Sequence, residues 1–192
     1  WDVPPPGAWD SDADGQPYDV VLLAVHCYAL NALWHAEANH PVLKLLTYAD
    51  TGAIAAAATT SLPERVGGGR NWDYRYSWVR DSSFTLQALF NLGHLSETEG
   101  FLRWLARIIG GPGAARLQVM YGLRGEQNLP EEELGHFEGY RGSRPVRVGN
   151  DAAGQRQHDI YGEVIDAALR LADYVGRIDD GLWPVLRGIC EE

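Results

Sequence analysis

Apolar residues recur at helical spacing in two tracts near the start of the chain. Residues 20–35 are rich in Ala, Leu, Cys and Trp, a pattern that favours a buried helix. Pro41 interrupts this pattern, and the tract "VLKLLTY" at 42–48 then continues the apolar face. Residues 1–19, which are rich in Pro, Asp and Gly, are predicted to form an irregular lead-in.

The helical pattern returns in the tract "RDSSFTLQALFNLGH" at 80–94, where apolar residues again follow a period near 3.6. Asp81 or Ser82 is predicted as its N-cap, and Gly93 as its stop. The next tract, "SETEGFLRWLARIIGG", begins with Ser96 and Glu99 at the spacing of a capping box. These signals predict two consecutive helices.

Two further helices are predicted in the last quarter of the chain. The tract 151–176 has a long apolar stripe and starts at Asn150 or Asp151. Another helix begins in "DDGLWPVLRGICEE" at 179–192. The chain is therefore predicted to be all-α, with helices in roughly antiparallel pairs.

The remaining segments lack helical spacing. Residues 49–69 are predicted to be irregular or extended, and "LQVMYGL" at 117–123 to form a short strand. Residues 124–150 are predicted to form a long structureless loop, the kind of segment that is usually functional or disordered. Its "PEEE" run is interpreted as the solvated start of a helix. The loop also carries Arg141, Arg144 and Arg147 at every third position.

Composition and charge exclude several classes of function. With 16 basic and 26 acidic residues in 192, the net charge is −10, which argues against a nucleic-acid binder. The longest apolar run, "VVLLAV", is too short to cross a membrane. Cys27 and Cys190 form no cluster with histidine, so we expect buried thiols, no metal site and a cytoplasmic location.

Aromatic residues alternate with other residues in "RNWDYRYSWVRDSSF" at 70–84. Trp72, Tyr74, Tyr76, Trp78 and Arg80 fall on every second position, so an extended segment would point all five to one side. Rings can stack on the C–H face of a sugar, while Arg80 with the following aspartate can bind neighbouring hydroxyl groups. The residues alone leave a second interpretation open, in which this aromatic face is hydrophobic core and the charged pair is a salt bridge.

Three long tracts resemble bacterial and archaeal members of glycoside hydrolase family 15, the glucoamylase, glucodextranase and trehalase family. The tracts are 70–93 ("RNWDYRYSWVRDSSFTLQALFNLG"), 43–64 ("LKLLTYADTGAIAAAATTSLPE") and 140–167 ("YRGSRPVRVGNDAAGQRQHDIYGEVIDA"). They occur in the expected order and span most of the chain. The resemblance implies a partial (α/α)6 barrel, with residues 20–192 forming the N-terminal half of a catalytic domain that is incomplete at its C-terminus.

The resemblance also implies a function and a set of binding residues. Members hydrolyse terminal α-glucosides with inversion, using one glutamic acid as general acid and another as general base. The family's motif for the terminal glucose, at the −1 subsite, falls here on Tyr74, Trp78, Arg80 and Asp81. Arg144 and Arg147 are expected at the rim of the pocket. No cofactor is implied.

No catalytic acid or base is assigned within the chain. The tract "GLWPVLRG" at 181–188 is the closest text to the family's acid motif, but Pro184 stands where the acid belongs. We expect both groups in the missing half of the barrel. Other polar residues are interpreted as structural: Glu126, Glu131, Glu132, Glu133, Glu163, Asp166, His136 and His158.

The expected partners are an α-linked glucoside (trehalose, a maltooligosaccharide or an α-glucan) and either the rest of the barrel or another copy of the chain. Two rivals remain. One is a non-catalytic carbohydrate-binding fragment, which would bind saccharide without turnover. The other is a scaffold fragment whose aromatic run is core, and which would show no change of Trp fluorescence with saccharide.

Overall fold

The computed structural model describes residues 36–110, 117–178 and 180–191 and is mainly helical. The predicted lead-in at 1–19 and the predicted helix at 20–35 lie outside these residues. The described helices are α1 (Ala36–Leu46), α2 (Val79–Asn91), α3 (Leu95–Ile109), α4 (Asp159–Val175) and α5 (Trp183–Glu191). Two short 3-10 helices occupy Tyr140–Gly142 and Asp151–Gly154.

Four two-residue strands form two antiparallel pairs. In the first pair, β1 (Ser77–Trp78) lies beside β2 (Met120–Tyr121), with Trp78 opposite Met120. In the second pair, β3 (Glu132–Glu133) lies beside β4 (Arg147–Val148). The predicted strand at 117–123 is therefore confirmed only for its two central residues.

The main core lies around α2, which packs against α1, α3 and α4. Each helix contributes the apolar side of an amphipathic sequence, as helical spacing requires. The buried side chains include Val79, Leu86 and Leu89 of α2, Phe101 and Leu105 of α3, Ile160 and Val164 of α4, and Leu186 and Ile189 of α5. This packing fixes the start of α2 relative to the start of α4, which matters for the site described below.

Two predicted helix starts are wrong. The N-cap of α2 is Trp78, which is extended (φ −77°, ψ 129°) because it belongs to β1, so Asp81 lies in the first turn and does not cap the helix. Helix α3 begins at Leu95 with His94 at the N-cap, and the predicted capping box does not form. Instead, Ser96 Oγ hydrogen-bonds Glu97 and the Glu99 carboxylate pairs with Arg103.

The third start is also displaced. The predicted helix over 151–176 begins at Asp159, while Asn150 caps the short 3-10 helix before it by accepting a hydrogen bond from the N–H of Ala152. Extended backbone at Gln155 (ψ 165°) separates the two helices. Pro41, predicted to interrupt the first apolar face, lies inside α1 on its exposed side. Because proline has no N–H, the carbonyl four residues before it receives no backbone hydrogen bond, and water can hydrate that carbonyl instead.

The loop 124–150 is not structureless. Its "PEEE" run forms strand β3 and not the start of a helix, because Glu132 and Glu133 pair with the β4 residues. The N–H of Leu134 also bonds the carbonyl of Val146 (2.8 Å), so the loop folds back on itself. Residues 49–69, predicted to be irregular or extended, form no helix and no named strand, and their ladder contacts are two isolated bridges, Thr47 to Ile54 and Thr60 to Asp73.

The buried thiol predicted for Cys190 is wrong, because this side chain is exposed on α5, and Cys27 lies outside the described residues. Within the described ranges, no helix combines the length and the apolar character needed to cross a membrane.

Candidate functional site

The aromatic segment runs in extended conformation beside an alanine-rich tract. The N–H of Ala57 donates to the carbonyl of Tyr74 (2.8 Å), and the N–H of Ala56 donates to the carbonyl of Tyr76 (2.9 Å). At its end, the segment enters the β1–β2 pair and then α2. These backbone bonds hold the segment in place independently of its side chains.

Side chains alternate along this segment, and three polar side chains on one side are fully buried. Asn71, Asp73 and Ser77 are 0% exposed, whereas the rings of Tyr74 and Tyr76 on the other side remain partly exposed. Arg80 does not share the extended side as predicted, because α2 already begins at Val79. The bend from strand to helix therefore places Arg80 and Asp81 at the end of the aromatic row.

Asp73 anchors the buried side of the segment. Its carboxylate accepts two hydrogen bonds from the Arg75 guanidinium, at 2.8 and 2.7 Å, and one from the N–H of Gly149 at 3.3 Å. The carbonyl of Asp73 also accepts a hydrogen bond from the Asn150 side chain (3.1 Å). A buried carboxylate needs such partners to offset its lost hydration, and here they join the aromatic segment to the loop 124–150.

Tyr74 and Trp78 form the apolar part of the candidate site. Their ring centroids lie 5.6 Å apart with planes tilted by 44°. Trp78 is 7% exposed and packs with Val119, Met120 and Leu129 in a second, smaller core, on whose edge Tyr74 lies. Packing on this scale holds both rings in one orientation, as a stacking surface requires.

Arg80 is the polar centre of the site. Its Nη1 donates to Gln157 Oε1 (2.8 Å) and to Asp159 Oδ2 (3.1 Å), and its Nη2 donates to Asp81 Oδ2 (3.3 Å). A guanidinium has five N–H donors, and these three hydrogen bonds use both Nη1 hydrogens and one Nη2 hydrogen. The Nε hydrogen and the second Nη2 hydrogen therefore have no partner among the described residues. The side chain is 33% exposed, so these donors remain accessible to a ligand.

Asp81 and Tyr74 influence each other electrostatically. Burial, followed by the negative charges of Glu64 and Asp81, raises the pKa of the Tyr74 phenol well above its usual value, so this hydroxyl keeps its proton. Asp81 lies in the first turn of α2, where the helix dipole favours a negative charge. The site thus combines a charged acceptor, a protonated phenol and a guanidinium.

Glu163 lies one turn of α4 beyond Asp159. Burial, followed by the negative charges of Asp166 and Asp159, raises the pKa of the Glu163 carboxyl, and Arg80 partly opposes that rise. The folded state therefore binds this proton more tightly than the unfolded state does. The charged carboxylate lowers stability above the raised pKa, and this cost disappears as the pH falls below the ordinary value of 4.5.

Replacing Glu163 with glutamine is expected to raise the melting temperature at neutral pH by a few degrees or less, and to change it less below pH 4.5. The measurement is thermal unfolding across this pH range, with the exposed Glu138→Gln as the matched control. An increase that is the same at every pH would contradict the assigned cause.

Arg144 and Arg147 are not brought together with Arg80. Arg147 stacks on the Trp72 ring (4.7 Å from its Cζ to the centroid), pairs with Glu131 (3.0 Å) and Glu133 (3.1 Å), and donates to the carbonyl of Gly69. It therefore holds the loop against the start of the aromatic row. Arg144 is exposed, and it makes no hydrogen bond or ion pair with another described residue.

The structure adds two polar residues that sequence reasoning missed, Gln157 and Asp159. Gln157 contacts Arg80 from the segment before α4, and Asp159 does so as the first residue of α4. A signal that could have found them is the uninterrupted polar run "QRQHD" at 155–159, inside a tract already notable for its resemblance. Within the described part of the chain, no group of three His, Cys, Asp or Glu side chains is arranged to hold a metal ion.

The arrangement suits a neutral ligand with hydroxyl groups on its rim and C–H groups on its face. The sequence model for the family described as glycosyl hydrolases family 15 matches residues 36–191. A trehalase of Mycolicibacterium smegmatis is 51% identical over 163 residues, which are 83% of this chain and 24% of that relative. For a trehalase of Mycobacterium tuberculosis the identity is 48%, with the same coverage of each chain.

A trehalase of Thermoplasma acidophilum is 42% identical over 141 residues, or 73% of this chain and 24% of the relative. The chain thus spans about a quarter of the length of these curated relatives. No solved structure matches it.

Proposed function

Because this chain belongs to glycosyl hydrolases family 15, we propose that it supplies the terminal-glucose subsite of an exo-acting, inverting α-glucoside hydrolase. Tyr74, which is partly exposed, and Trp78, which packs behind it, form the aromatic wall of the glucose subsite. Arg80 and Asp81 bind the hydroxyl groups farthest from the bond that is cleaved, with Arg80 donating and Asp81 accepting. A subsite closed around these hydroxyls admits only a chain end, which accounts for exo action.

The observation that carries this proposal is the setting of Arg80. Its guanidinium is held by Asp81, Gln157 and Asp159, yet the side chain remains a third exposed at the end of the aromatic segment. A purely structural ion pair needs no unused donors. Arg147, which is bound to Glu131, Glu133 and Trp72, holds the loop at the far end of the aromatic segment. Arg144, which is exposed, is proposed to contact the substrate at the rim of the pocket.

Trehalose is the substrate that the relatives favour. The three relatives described above are all named trehalase, and two of them are about half identical to this chain. Maltooligosaccharides and α-glucans share the same terminal glucose, so the subsite by itself does not separate them from trehalose. The names of the relatives therefore support trehalose over the other two substrates in this proposal.

We further propose that the general acid and base come from parts of the native protein outside these 192 residues, within a complete (α/α)6 barrel. Support comes from apolar side chains that remain exposed on the last two helices, Leu169, Tyr174 and Val175 of α4 and Trp183 of α5. Such a surface is typical of one covered by another part of a protein, here the rest of the barrel or a second copy of the chain.

The test is the stereochemistry of the products formed by the native protein that contains this sequence. Trehalose joins two α-glucose units through their anomeric carbons, so inversion releases one β-glucose and one α-glucose, whereas retention releases α-glucose alone. Proton NMR in the first minutes of reaction, before mutarotation, is expected to show the two anomers in equal amounts. Release of α-glucose alone would contradict inversion, and no glucose release would contradict the hydrolase assignment.

A further inference from the structure

A cleft of about 340 Å³ with a mixed polar and apolar lining lies beside the candidate site. It is bounded by the segment before β2, the loop after β2 and the start of α4. We name it the glutamine cleft, and it is lined by Leu117, Gln118, Gln127, residues 153–158, Ile160 and Tyr161. Small-molecule sites usually have volumes of about 300–1,000 Å³, so the cleft has room for one sugar ring.

Two contacts join the glutamine cleft to the terminal-glucose subsite. Gln157 accepts from Arg80 through Oε1 (2.8 Å), and its Nε2 donates to Gln155 Oε1 (3.1 Å). On the other side, Ala153 lines the cleft and also packs against the small core that contains Trp78. A ring in the cleft would therefore lie directly beside a ring held by Arg80 and Trp78.

The chemistry of the lining suits a neutral polyhydroxyl ligand. Four glutamine side chains contribute to the lining, and each amide offers both donors and an acceptor, which match the dual character of a hydroxyl group. Gln118 Oε1 is buried and has no hydrogen-bond partner within the described residues. Among the described residues that line the cleft there is no carboxylate, which argues against a cation as its ligand.

Apolar patches complete the lining. Leu117, Ile160 and the ring of Tyr161 offer a surface to the C–H groups of a pyranose. We propose that the glutamine cleft binds the second sugar of the substrate, the one that leaves when the terminal glucose is released. This inference rests on the proposed function and adds to it the residues that select a sugar as leaving group, Gln127 and Gln155.

The experiment compares two substrates in the native protein. Trehalose places a sugar in the cleft, whereas α-glucosyl fluoride carries the same terminal glucose with a fluoride ion as leaving group. In the double variant Gln127→Ala/Gln155→Ala, loss of two hydrogen bonds is expected to lower kcat/KM for trehalose by about tenfold or more. Hydrolysis of α-glucosyl fluoride is expected to stay within about twofold of the wild type.

The matched control is Gln87→Ala, because Gln87 lies beside Arg170 and does not line the cleft. If the double variant does not fold, the single variant Gln127→Ala tests the inference, because it removes only an exposed side chain. Its kcat/KM for trehalose is expected to fall by about threefold. Equal losses on both substrates, or no loss on either, would contradict the binding of the second sugar in the glutamine cleft. Neither result would contradict the proposed terminal-glucose subsite. A wild type that hydrolyses neither substrate would overturn the proposed function, and the cleft with it.

Discussion

Replacing Asp81 with alanine in the native protein is expected to lower kcat/KM for trehalose by about a hundredfold. A hydrogen bond to a charged group contributes about 1.5–3 kcal/mol, and each 1.4 kcal/mol is tenfold in rate. Arg80 would also lose one of the three groups that orient it. The measurement is the steady-state rate of glucose release below the melting temperature of both proteins.

The matched control for Asp81 is Asp173→Ala, which removes an exposed carboxylate on α4. The control is expected to keep wild-type activity. Asp81→Asn preserves the shape of the side chain, so it separates loss of charge from loss of packing, and it is also expected to be strongly impaired. An Asp81→Ala protein within about twofold of the wild type would refute the subsite.

The second large effect is expected at Asp73, and it concerns stability. Asp73→Ala removes a fully buried carboxylate that accepts hydrogen bonds from Arg75 and from the N–H of Gly149. Buried networks of this kind typically cost about 2–4 kcal/mol when one member is deleted. For a chain of this size the melting temperature is expected to fall by roughly 5–15 °C.

Hydrogen exchange locates the effect of Asp73→Ala. Amide protection is expected to fall most at Gly149 and Asn150, where the loop is held to the aromatic segment. The control is Asp50→Ala, which removes an exposed carboxylate from a surface turn and is expected to leave the melting temperature within about 2 °C of the wild type. A variant as stable as this control would show that Asp73 is not the anchor of the segment.

Several features followed directly from local pattern. The three tracts around residues 43–64, 70–93 and 140–167 identified the family correctly, as the match over 36–191 confirms. Helices predicted over 80–94, 96–111 and 151–176 are found at 79–91, 95–109 and 159–175, because amphipathic spacing is a local property of the chain. Gly176, in left-handed conformation (φ 80°), ends α4 where the pattern ends.

Helix starts were predicted less well, because partners distant in sequence decide them. Asp81 and Ser82 have the chemistry of an N-cap, but pairing of β1 with β2 keeps Trp78 extended and starts α2 at the next residue. The "PEEE" run has the chemistry of a helix start, but strand β4 pairs with it. In both places a tertiary contact outweighed a local preference of about 1 kcal/mol.

The sequence by itself determined the family and the helical class, and it singled out Tyr74, Trp78, Arg80 and Asp81 as candidates, since alternation and motif are properties of neighbouring residues. Only the tertiary structure decided what surrounds that row. Gln157 and Asp159 reach Arg80 across more than seventy residues because α2 and α4 pack on one core. Arg147 is engaged by Glu131, Glu133 and the Trp72 ring, and it shares no hydrogen-bond or ion-pair partner with Arg80 among the described residues. Contacts between distant segments depend on how the apolar faces pack, and no local pattern encodes that packing.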